Sequence, residues 1–331
     1  MQLTTAVEIP AREIAITHKS RLLLMGSCFA GNIGAKLSDN KFRVQLNPFG
    51  ILYNPLSIAY TLERILNREL FDEQSPEIFY HQERWHSFMH HSDFSCREKR
   101  DTIDKINSSL QEASDCLNSL DYLIVTYGTA YVYRRKENNR VVGNCHKLPA
   151  SEFTRELLSV DEIVESTAPI IERLTAERPT AKIVFTVSPI RHLRDGAHDN
   201  QRSKATLILA IEELRRLFPH NTTYFPAYEI MLDELRDYRF FAEDMIHPSS
   251  VAIEYIWEKF QTFSFDSSTI ATSKEINEIM RALAHRPFDE HSHNYHRFIG
   301  DTLRKIELLK EREPYIDFEK EITKCNTILN R

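Results

Sequence analysis

The sequence predicts an α/β fold: a doubly wound, mostly parallel sheet with helices on both faces, followed by a helical C-terminal extension. Three observations predict it. Unbroken apolar runs, "LIV" in 122–127 and "IVF" in 182–187, suit strands buried on both faces. Segments with a three-and-four-residue apolar period separate these runs, so strand and helix alternate. Near residue 266 the alternation stops, and only the helical period continues.

The elements follow in order. A first strand is read at 22–25, and Ile33 and Leu37 mark the helix after Ser27. A second strand is read at 42–46, with Ile58, Leu62, Ile65 and Leu66 on the next helix. The third strand, 122–127, precedes a helix marked by Ile163, Ile170, Ile171 and Leu174. The fourth strand, 182–187, precedes a helix carrying Leu207, Ile211, Leu214 and Leu217. A weaker fifth strand falls in 222–229 and a helix in 249–260. Residues 1–265 then read as the main domain and 266–331 as the extension, with helices in 273–287, 294–313 and 315–328. Ile299, Leu303, Ile306 and Leu309 form an apolar stripe, expected to dock on the main domain; these helices are candidates for a homodimer interface.

With 331 residues, 42% of them hydrophobic, the chain can bury a sizeable core, which excludes disorder. A formal net charge of -6 without a basic stripe argues against nucleic acid. "MQLTTAVEIPAREIAITHKS" has neither a basic nor an apolar leader region, and no run approaches the ~20 residues of a membrane span. Five cysteines without a C-x-x-C pair suit reduced thiols. The expectation is a cytoplasmic protein with no membrane partner.

Candidate chemistry is sought where strands end, because ligands of open α/β sheets bind there. Of only eight glycines, three fall within 26–34, and Gly50 and Gly128 also follow strands. Ser27, between the first strand and its helix, is either an N-cap or a nucleophile facing backbone N–H groups. Asp244-Met245-Ile246-His247 offers a base and its orienting carboxylate on one turn, the partners a serine nucleophile needs. Arg191 and His192, after the fourth strand, are placed to contact a polar or anionic substrate or to form a loop salt bridge. His146 lies beside Asn144 and Cys145 in a loop and is taken as a substrate contact. His86 and His90 have the i, i+4 spacing of a helical metal pair but lack H-E-x-x-H, so no metal is expected.

Within these features, "MGSCFAGNIG" resembles the GSCFA domain family, and the serine and D-x-x-H resemble the SGNH/GDSL hydrolase arrangement. "NPFGILYNP" (47–55), "TYGTAYVY" (126–133), "NCHK" (144–147), "FTVSPIRHLRDG" (185–196) and "DYRFFAEDMIHPS" (237–249) are similar to further motifs of that family. The resemblance implies a flavodoxin-like, SGNH-hydrolase-like sheet and an esterase or acyl hydrolase without a cofactor. The implied reaction passes through an acyl-serine on O-acyl esters of a carbohydrate. An O-acyltransferase or a non-catalytic glycan-binding module are the alternatives. Ser27 matches the nucleophile, Asp244 and His247 the dyad, and Gly50 the oxyanion-hole glycine. Where SGNH enzymes carry G-x-N-D, this chain has Gly128-Thr129-Ala130-Tyr131, with Ala130 at the asparagine position. Thr129, Asn47 and Asn54 are candidates for the missing oxyanion donor. Cys28 is expected to turn toward the sheet.

Overall fold

A computed structural model describes residues 5–330. The main domain begins β1 (Arg21–Gly26), α1 (Cys28–Asp39), β2 (Arg43–Leu46), α2 (Pro55–Asn67), β3 (Ile78–His81), β4 (Arg84–Ser87), α3 (Lys99–Leu117), β5 (Tyr122–Tyr127). It continues β6 (Tyr131–Arg135), β7 (Val141–Val142), β8 (Phe153–Leu157), α4 (Val160–Glu177), β9 (Lys182–Val187), α5 (Gly196–Leu217) and β10 (Thr222–Tyr224). A short α6 (Ala227–Glu229) runs into a π-helical turn, and α7 (Ser250–Ser264) completes the domain.

The five strands β10-β9-β5-β1-β2 form the central sheet in that order, and every pairing in it is parallel. This is the doubly wound, flavodoxin-like order. Alternation along each strand decides which layer a residue joins. Leu23, Met25, Leu123, Val125, Ile183 and Phe185 face the layer of α2, α3, α4 and α5. Leu22, Leu24, Ile124 and Val184 face α1 and α7, where Phe29, Ile33, Ile256 and Phe260 meet them.

Two features were not read from the sequence. Helix α3 is 19 residues long but mostly polar, and its buried stripe is Ile103, Ile106, Leu110 and Leu117. Two small antiparallel sheets, β3-β4 and β7-β6-β8, project beyond the carboxyl ends of the central strands. Residue 86, read on a possible helix, lies instead on β4, and His90 lies in the loop after it.

Helices α8 (Ser267–Ala284), α9 (His293–Arg312) and α10 (Glu319–Leu329) form the end of the chain. The stripe expected to dock on the main domain packs elsewhere: Ile299, Ile306 and Leu309 join Ile276, Ile279, Phe318 and Cys325 in a separate core. Contact with the sheet is largely polar. Lys41 pairs with Glu321 at 2.7 Å, the Asn277 amide donates to the Asn40 side chain at 2.8 Å, and Arg43 donates to the Tyr315 carbonyl at 3.2 Å. Phe265, by contrast, stacks on Phe42 inside the main core. A chain ending at Asp266 is therefore expected to remain folded, with a melting temperature lowered by roughly 2–8 °C for one or two lost kcal/mol. Circular dichroism melts check this; aggregation of the shortened chain on purification would contradict it. No helix among the described residues is long and apolar enough to cross a membrane.

Candidate active site

Strand β2 lies on one side of β1, whereas β5, β9 and β10 lie on the other. The chain leaves β1 and β5 in opposite directions, so a crevice opens between their carboxyl ends. Ser27 sits there as the N-cap of α1: its hydroxyl accepts the Phe29 N–H at 3.3 Å, and its own N–H donates to the Thr126 carbonyl at 3.2 Å. The capping role is real and leaves the hydroxyl proton available. Ser27 is 1% exposed, yet it borders a cleft of about 540 Å³.

The segment 47–55 closes the floor of this crevice. The Asn47 side chain accepts the Gly26 N–H at 2.9 Å, the Leu52 N–H donates to the Gly26 carbonyl at 3.0 Å, and the Tyr53 carbonyl accepts the N–H groups of Gly128 and Thr129. Gly50, at φ +78°, donates its N–H to the Asn47 carbonyl at 2.7 Å, and a Cβ there would lie 2.3 Å from the His91 Cβ. Asn47 and Gly50, expected in the oxyanion hole, thus secure the loop, and neither lines the cleft. Thr129 does line it, but its N–H goes to Tyr53 and its hydroxyl pairs with Ser203 at 3.1 Å. Asn54 fits the donor role better. As the N-cap of α2 its side-chain oxygen accepts the Ser57 N–H at 2.8 Å, while its amide nitrogen faces no partner among the described residues. The Cys28 N–H, first of the α1 donors, likewise has no acceptor among them.

The turn before α7 carries Asp244 and His247. Asp244 accepts the N–H groups of Ile246 and His247, each at 2.9 Å, and the His247 ring at 2.6 Å. These bonds, led by the His247 N–H, hold the Asp244 carboxyl down to about 2, so it is ionised. An ionised carboxylate only accepts, which makes His247 Nδ1 the donor and leaves Nε2 as the basic nitrogen. His247 and Ser27 line the same cleft, and no direct hydrogen bond joins them.

The missed β6 and β8 strands supply the outer wall. Tyr131 and Tyr133 stand two apart on β6 and both line the cleft. Arg155, opposite Tyr133 on β8, lays its guanidinium 3.7 Å from the Tyr131 ring and pairs with Asp195. Arg191 and His192 also line the cleft, with the His192 ring 5.9 Å from Tyr53. Cys28 does not turn to the sheet: it is half-buried at the cleft with Sγ 3.5 Å from the Tyr53 hydroxyl. Cys145 lines the cleft too, and burial pushes its thiol up to about 11, which disfavours a thiolate nucleophile.

Of the other histidines, His91 also lines the cleft, whereas His86, His90 and His146 do not. His146 is buried behind the wall, bonded to the Ser87 carbonyl at 2.8 Å and 4.6 Å from the His86 ring; it does not line the cleft. His86 bonds Ser95 and the His81 carbonyl, and His90 bonds Ser87, so they are not a helical metal pair. A larger hollow, about 810 Å³, is lined by Arg134, Arg135, Val141 and Val142 of β6 and β7 and lacks Ser27.

Lys204, at the ends of two central strands, was overlooked in the sequence. It is 1% exposed on α5, and its ammonium donates to the Gly128 and Ser188 carbonyls, each at 2.7 Å. It thereby ties together the ends of β5 and β9 at the crevice. The signal was legible: Lys204 occupies an apolar-face position with Leu207, Ile211 and Leu214. Burial alone lowers its ammonium to about 7.

Burial lowers both His146 and His192 to about 4; for His192 the positive Lys204 contributes next. Unfolded, each ring titrates near 6.5. Between those values the unfolded chain holds more protons, so stability is expected to fall as pH drops from about 6.5 toward 4, by up to about 3 kcal/mol per ring. Urea melts across that range check the slope, which His146→Asn should reduce. A flat profile would contradict buried neutral rings.

The GSCFA family model matches residues 21–260, and the model described as "GSCFA domain protein, C-terminal domain" matches residues 276–331. No curated protein matches the chain. Among solved structures, a Streptococcus pneumonia protein provisionally described as a platelet activating factor aligns at 9% identity, covering 73% of this chain and 82% of its own, with a TM-score of 0.34. With both family models matched in order along the chain, and the first spanning β1 to α7, the protein belongs to the GSCFA family.

Proposed function

We propose that the protein is a serine hydrolase of SGNH type that cleaves O-acyl esters, with a carbohydrate as the alcohol. One observation carries the reading: Ser27 at the N-terminus of α1 and His247, oriented by an ionised Asp244 at 2.6 Å, line one cleft. A cleft of about 540 Å³ walled by two tyrosines has room for a sugar-sized group beside a short acyl chain.

In this mechanism Ser27 Oγ bonds to the acyl carbon while its proton passes to His247 Nε2. The N–H of Cys28 and the amide of Asn54 hold the oxyanion, in place of the asparagine that Ala130 replaces. The carbon–oxygen bond to the alcohol then breaks, and the departing oxygen takes the proton from His247. Water repeats the sequence and releases the acid; an acceptor hydroxyl in its place gives acyl transfer. No step needs a cofactor.

Turnover of 4-nitrophenyl acetate tests the dyad. Asp244→Asn keeps the shape of the side chain but removes the charge that fixes the His247 tautomer, and kcat is expected to fall by about 10³–10⁴. An unchanged kcat would remove Asp244 from the mechanism. A second reading, a glycan-recognising module without turnover, is favoured by the fully buried Ala130 at the asparagine position. That reading predicts no ester cleavage above the Ser27→Ala background.

A further inference from the structure

The chain as a whole is acidic, with a formal charge of -6, yet its cleft has the opposite sign. Three arginines line it, Arg155, Arg191 and Arg194, against one carboxylate, Asp195. Arg155 and Asp195 neutralise each other as an ion pair. Asp244, beside the cleft, is already held by the His247 ring and by two backbone N–H groups. Two guanidinium groups therefore remain without a carboxylate.

Their surroundings differ in a useful way. Arg194 is exposed at the cleft and makes no ion pair or hydrogen bond among the described residues. Arg191 donates to the Met245 carbonyl and lies 4.3 Å from the Phe241 ring, while its Nε is buried without a partner. That tether sets Arg191 beside the turn that carries His247. Since His247 must return a proton to the leaving oxygen, the alcohol half of an ester lies on the Arg191 side. A guanidinium lying on an aromatic ring is partly stripped of water and suited to a planar or tetrahedral anion. The unpaired charge in a cleft also raises the local concentration of anions.

We propose that the alcohol half of the substrate carries a negative charge, a phosphate monoester or a carboxylate, bound by Arg191 and Arg194. This rests on the serine-hydrolase reading for the direction of the ester, but its test need not involve turnover.

Binding is measured calorimetrically on Ser27→Ala with three small alcohols: glycerol, glycerol 3-phosphate and glycerate. At least one anion is expected to bind about tenfold or more tightly than glycerol, with that advantage shrinking as salt rises. Preference for glycerol 3-phosphate identifies a phosphate; preference for glycerate identifies a carboxylate. Adding Arg194→Gln, which breaks no ion pair or hydrogen bond among the described residues, should remove about tenfold of the advantage. Equal binding of all three alcohols, or an advantage that survives both Arg194→Gln and Arg191→Gln, would overturn the proposal. In wild-type turnover, faster cleavage of monosuccinylglycerol than of acetylglycerol 3-phosphate would overturn the placement on the alcohol half. Because binding is read on a protein lacking the nucleophile, its failure is distinct from failure of the hydrolase reading.

Discussion

Replacement of Ser27 by alanine is expected to reduce ester turnover by at least about 10⁴-fold, because the proposed mechanism forms its acyl intermediate on this hydroxyl. The same change removes an N-cap acceptor, so it should also cost about 1 kcal/mol of stability. Its neighbour provides the control. Cys28 reaches the cleft and a thiolate is the better nucleophile in principle, yet its Sγ rests against the Tyr53 hydroxyl. Cys28→Ala is expected to keep turnover within about threefold of wild type. Side-by-side kinetics of the two variants decide between them. Inactive Cys28→Ala with active Ser27→Ala would reduce the serine to a cap and transfer the chemistry to sulfur.

Gly26→Ala is expected to have the largest effect on stability. Gly26 stands opposite Thr126 in the β1–β5 register, at φ +133°, and a Cβ would meet the Thr126 carbonyl oxygen at 2.1 Å. Both atoms belong to central strands, so neither backbone can yield. A cost of about 4 kcal/mol or more follows, roughly 10 °C in melting temperature if the protein remains soluble. Gly31→Ala is the matched control. An added Cβ there meets nothing within 4 Å, and alanine favours the helix by up to about 1 kcal/mol. A Gly26→Ala variant that melts with the wild type would show that the close approach of β1 to β5 is not required. That approach also matters for the site, since it sets Ser27 at the point where the sheet order reverses.

The central sheet was legible because its strands are continuous apolar runs, and the helices facing it keep a clean period. Helix α3 was less legible, for its buried stripe is diluted by charged residues over five turns. The β7-β6-β8 sheet is built from short strands, with two arginines on β6 and an Arg-Glu pair on β8, so its pattern resembles a polar loop. That loss matters, because Tyr131, Tyr133 and Arg155 wall the cleft. Position after a strand led to Ser27, Thr129, Arg191 and His192, and the D-x-x-H spacing led to His247; all five line the cleft. Asn47, Gly50 and His146 do not. Their motifs reach the crevice, but a sequence does not reveal which residues of a loop face inward. Asn47 binds the β1 end, Gly50 makes room for His91, and His146 packs against His86.

In the proposed mechanism Ser27 is an activated nucleophile. Treatment with a fluorophosphonate, followed by peptide mass mapping, tests it most directly. One adduct is expected, on Ser27, lost in Ser27→Ala and formed much more slowly in Asp244→Asn. An adduct on another residue, or none under conditions that label an ordinary serine esterase, would contradict it.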